Sequence, residues 1–129
     1  MYGPVKHDRK DAISAEITDK VLRIQTPVIV GGDFNLIRYD DEKSKGMLHR
    51  TLMFKFNTMI NLLSLRELHR SGGKFTWSNK QLNPNFEVLD RVLISTSWEA
   101  SFPLATAYST IRSGSDHSPI LVDVGEKNP

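Results

Sequence analysis

The sequence predicts an α/β chain, with one mostly antiparallel sheet and two helices on one of its faces. Two stretches repeat apolar residues at three- and four-residue steps, several short apolar runs lie between them, and turn residues separate the segments evenly. At 129 residues the chain suits one compact domain. We expect that domain over residues 1–124, with 125–129 as a flexible tail.

Each element follows from its pattern. Ile13, Ile17, Val21 and Ile24 mark an amphipathic helix over Asp11–Ile24, which Pro27 closes. Val28, Ile29 and Val30 form a short apolar run that reads as a buried strand, and Gly31 and Gly32 loosen the backbone at its end. Leu52, Phe56, Met59, Ile60 and Leu63 share one side of a second helix over Thr51–Leu65. After the break at Gly72 and Gly73, Phe75–Trp77 alternates as a strand. Asn83, Pro84 and Asn85 turn the chain, Val88–Ile94 is the next strand, and Ile120–Val124 is the last. The alternating residues of these strands are apolar on both sides while the helices cover one, so the second side is expected to be exposed.

Composition excludes little. Lys plus Arg number 17 against 15 Asp plus Glu, a formal +2 that is compatible with a nucleic-acid partner but too small to argue for one. No apolar run approaches the roughly 20 residues that span a bilayer, and the N-terminus does not read as a signal peptide. The absence of cysteine excludes disulfides and thiolate chemistry. The expected location is intracellular, in nucleus or cytoplasm, without membrane association.

Three acidic positions lie at or beside strand ends, where open sheets present ligand-binding groups: Asp33, Asp90 and Asp116. Asp33 and Asn35, two apart in an extended segment, would point to the same side and offer a carboxylate and an amide to one ligand. Taken alone, Gly32–Asn35 reads more readily as a turn closed by an Asn35 side-chain bond. Asp90 interrupts an apolar strand and needs a donor. Arg91 points to the opposite face, so His117 is the candidate; the alternative is an edge strand with Asp90 in solvent. Asp116 and His117 place an acid beside a base, suited to general-base chemistry and cation binding, or to a simple cap in a loop. The run Asp40–Lys45 reads as a solvated loop, His7, His49 and His69 as surface residues, and Trp77 as packing or as a base-stacking platform.

Taken in order, Val28–Asn35, Leu89–Ile94 and Ser115–Ile120 resemble three successive signatures of the endonuclease/exonuclease/phosphatase family. Gly73–Ser78 and the stretch Ser97–Pro103 resemble its LINE-type (non-LTR) retrotransposon branch, plant elements in particular. The resemblance implies half of the deoxyribonuclease I-like two-sheet sandwich, the C-terminal half. It implies that Asp33 orients or activates water or protonates the leaving oxygen, that Asn35 holds the scissile phosphate, and that Asp90 aligns His117 as base or phosphate ligand. Asp116 would hold Mg²⁺ or Mn²⁺; Tyr2 would touch the phosphate, and Thr76 and Ser115 would line the nucleic-acid site.

The chain departs from the family in one respect. Upstream of the tyrosine motif the family carries an Asn and a metal-binding Glu, whereas this sequence begins at Tyr2. Glu16, Glu42, Glu67, Glu87, Glu99 and Glu126 all read as lying on helix surfaces, loops or the tail. The expectation is therefore a truncated DNA phosphodiesterase that binds its cation weakly and is impaired alone, or a non-catalytic relic that binds nucleic acid or protein. A homodimer, or a protein partner covering the exposed sheet face, is expected.

Overall fold

The computed structural model describes residues 14–80, 82–110 and 117–125. Residues 14–23 are the described part of helix α1, and Ile13 lies outside the described residues. Strand β1 (Ile29–Asp33) is followed by a single 3-10 turn at Asp40–Glu42, helix α2 (Arg50–Leu62), β2 (Leu65–Glu67) and β3 (Arg70–Ser71). Then come β4 (Trp77–Ser78), β5 (Phe86–Glu87), β6 (Asp90–Ser95), α3 (Thr96–Ser101), β7 (Thr106–Ser109) and β8 (Ile120–Asp123).

The mixed α/β class is as expected, but the strands expected in one sheet divide among three. They order as β1–β6–β2, β3–β7–β8 and β4–β5. Pairings are antiparallel except β3 with β7. Gly72, at φ +95°, permits the close passage of β3 along β7, because a Cβ there would lie 2.5 Å from the Ser109 carbonyl oxygen.

Helix α2 forms because its apolar residues recur at helical spacing: Leu52, Phe56, Met59 and Ile60 turn to one side. That side packs on Phe34, Leu36, Leu65 and Leu93, with Val30 of β1 and Ile17 of α1 at its margin. Both helices thus cover one face of β1–β6–β2, as expected. Burial of each large apolar side chain there contributes about 1.5–3 kcal/mol.

The opposite face is not bare. Val92 and Ile94 of β6 pack with Leu68, Trp98 and Ala107, with Ile120 of β8 alongside. The short helix α3 makes this possible: Ser95 Oγ accepts from the Trp98 amide at 3.2 Å, capping the helix and turning Trp98 inward. Among the exposed apolar residues, Ile29 lies on the outer strand β1 and Leu121 and Val122 on the outer strand β8.

The reading of Asp40–Lys45 as solvated is corrected in part. Glu42 is half-buried against Arg91, and Lys43 pairs with Glu87 at 2.9 Å. Trp77 packs beside Ile37, Met53 and Leu89. Of the expected tail, Gly125 is described and 126–129 lie outside the described residues. No helix among the described residues is long and apolar enough to cross a membrane.

Candidate active site

The site arises from strand register. Asp33 ends β1 and Asp90 begins β6, and the antiparallel ladder sets these two residues directly opposite each other. Like charges at cross-strand positions repel, so this pairing needs a cation or a donor between them. His117 supplies one. Its Nδ1 lies 2.7 Å from Asp90 Oδ2, and its Nε2 lies 3.6 Å from Asp33 Oδ2. A carboxylate only accepts, so the proton of the short bond resides on Nδ1, and the other nitrogen is directed to Asp33.

Backbone contacts bring His117 to this position. It bridges to Trp77 of β4, and the next residue, Ser118, donates its amide to the Thr76 carbonyl at 2.8 Å. Thr76 is fully buried, at 0% exposure. Its Oγ1 accepts from the amides of Leu89 at 2.9 Å and Asp90 at 3.0 Å. Expected to line a nucleic-acid surface, Thr76 instead sits beneath the site, because its hydroxyl satisfies backbone donors where β6 begins.

Asp33 Oδ1 accepts from the Asn35 amide at 2.8 Å, so the turn is closed by the aspartate and not by the Asn35 side chain. Asn35 takes φ 58°, which ends the extended segment at Asp33 and removes the same-side rule on which the pairing of these two side chains rested. Asn35 borders a depression with Leu36, Lys43 and Met53, whereas Asp90 and His117 border another with Gly31, Val92 and Pro119. Tyr2, Ser115 and Asp116 lie outside the described residues. His49 and His69 are exposed and take no part in the acidic group.

The opposite face of β6 carries a group that the sequence reading missed. Arg91 is buried to 1% exposure and donates to Glu42 and Glu67, to the Leu36 carbonyl at 3.1 Å and to the Val88 carbonyl at 2.8 Å. Burial opposes its charge, but the two carboxylates outweigh that penalty and hold the guanidinium above its ordinary pKa. Glu67 also meets Arg38 at 2.9 Å. Arg91 thereby ties the loop after Asp33 to the segment before Asp90. The signal available beforehand was alternation: an Arg beside an inward Asp, within an apolar run, must be buried on the other side.

Asp33, Asp90 and His117 each offer a ligand atom within 4.8 Å of the others. Their chemistry fits a hard divalent ion such as Mg²⁺ or Mn²⁺, which takes one or two carboxylates and completes its shell with water and phosphate oxygen. The imidazole and Asp90 are committed to each other, so Asp33 is the carboxylate of this group suited to hold such an ion.

Two carboxylates facing across a strand pair with a histidine between them, at the end of an α/β sheet, bring together groups able to move a proton and to hold a cation. The comparisons make this specific. The sequence pattern of the endonuclease/exonuclease/phosphatase family matches residues 5–117, and the chain belongs to that family. Its members typically depend on divalent metal. No curated protein and no solved structure matches the chain.

Proposed function

We propose that this domain is a metal-dependent phosphodiesterase acting on DNA, of LINE retrotransposon type, with low activity as an isolated chain. The observation that carries the reading is the Asp90–His117–Asp33 arrangement within a chain of this family. The LINE assignment rests on the Gly73–Ser78 and Ser97–Pro103 segments.

The residues divide the work. Asp90 fixes His117 with the proton on Nδ1, which leaves Nε2 to take a proton from water or, once protonated, to donate to a phosphate oxygen. Asp33, held by the Asn35 amide, orients the attacking water beside Nε2. A bound divalent cation supplies neutralisation of charge on the phosphate and the leaving oxygen. The family resemblance gives Asp116 the role of a further carboxylate for the cation, and Tyr2 and Ser115 contact with the phosphate; all three lie outside the described residues.

Nicking of supercoiled DNA tests the proposal. The expected result is slow single-strand cleavage that requires Mg²⁺ or Mn²⁺, stops with chelator, and is lost in His117→Ala. Cleavage indifferent to chelator, or none with either metal, contradicts it.

A further inference from the structure

We propose that Thr76 is a positioning residue that sets the geometry of the Asp90–His117 pair through its hydroxyl and its carbonyl together. The pair joins residues 27 apart in sequence, and three chain segments must be registered for a 2.7 Å bond to form. Thr76 is where they meet. Its hydroxyl oxygen receives the consecutive amides of Leu89 and Asp90, its own amide donates to the Glu87 carbonyl at 3.0 Å, and its carbonyl receives Ser118. One residue therefore anchors the backbone of Asp90 on one side and the backbone next to His117 on the other.

The residue type suits the task. A hydroxyl oxygen has two lone pairs and can accept from two amides at once, which neither Val nor Ala can do. Those amides sit where β6 begins, at the last pair of the β1–β6 register, Asp33 opposite Asp90, and Thr76 Oγ1 is the acceptor of both. Without Oγ1, two donors in a buried place lack their acceptor, and the backbone there must shift to find others. Asp90 moves with that shift, while His117 stays tied to β4. A misplacement of the order of 1 Å in a catalytic group lowers turnover by roughly 100-fold.

The kinetic part of this inference rests on the proposed phosphodiesterase activity; its geometric part does not. The test compares wild type with Thr76→Val, Thr76→Ala and Thr76→Ser by two readouts. Nitrogen-15 NMR of the His117 ring reports which nitrogen holds the proton and whether Nδ1–H is hydrogen bonded. DNA nicking gives kcat and KM. In wild type and Thr76→Ser we expect one tautomer with a hydrogen-bonded Nδ1–H. In Thr76→Val and Thr76→Ala we expect mixed tautomers and kcat lower by about 10- to 100-fold with little change in KM. Thr76→Ser keeps the result decisive if the other two variants fail to fold: a Ser variant that loses the wild-type ring signature shows that the methyl group matters and overturns the proposal. Val or Ala variants that fold and keep that signature overturn it equally. A wild type that shows the Nδ1–H bond but cleaves no DNA counts against the proposed function and leaves the positioning role standing.

Discussion

Arg91 and Asp90 are chain neighbours with opposite surroundings, and the contrast explains what could be read from each. Asp90 was legible because a carboxylate in an apolar run demands a donor, and the Asp-His dipeptide offered one. The partners of Arg91 were not, because Glu42 and Glu67 lie 49 and 24 residues away and sit in segments that read as polar surface. Ion pairs buried by tertiary structure leave no local periodicity. Their energetics are nonetheless predictable: removing one partner of a buried charged group costs about 3–5 kcal/mol, because the remaining charges and carbonyls lose their compensation. Arg91→Met should lower the unfolding free energy by an amount in that range, measured by urea denaturation. A loss below about 1 kcal/mol, the scale of an exposed ion pair, would mean that the network is open to solvent.

Among the elements, helix α2 was the most legible, since its buried residues repeat over several turns and Leu52, Phe56, Met59 and Ile60 turn inward as expected. Its observed limits, Arg50–Leu62, fall short of the expected end, where Ser64 takes φ 56° and the chain turns into β2. Strand β6 begins at Asp90, two residues later than the apolar pattern suggests, because the amides of Leu89 and Asp90 bond to a side chain and not to a strand. The elements that went unread are short: β2, β3, β5 and β7 span two to four residues, and α3 spans six. Periodicity needs length to be visible. For α3 the Ser95 cap was a sequence signal, three residues ahead of the Trp98 amide that it accepts. Of these unread pieces, α3 through Trp98 and β7 through Ala107 help to close the second face of β6.

Considered as a whole molecule, the domain covers more of itself than its strand pattern implied. Leu68, Trp98, Ala107 and Ile120 bury the face of β6 that was expected to stand open. The proposal of a homodimer rests now on the outer strands, where Ile29 of β1 and Val122 of β8 are exposed around the depression beside His117. Light scattering at micromolar concentration should give twice the chain mass, and Ile29→Lys with Val122→Lys should return it to the single mass. A wild-type monomer contradicts the proposal. The central claim, that Asp90 and His117 act as one unit in metal-dependent phosphodiester hydrolysis, is tested most directly by a double-mutant cycle on nicking rate with Mn²⁺. Loss of general-base function should lower the rate about 100- to 10,000-fold in His117→Ala, and Asp90→Asn combined with it should lower the rate no further, because the carboxylate works only through the imidazole. A double variant whose loss equals the product of the two single losses, or a His117→Ala variant as fast as wild type, would contradict the account.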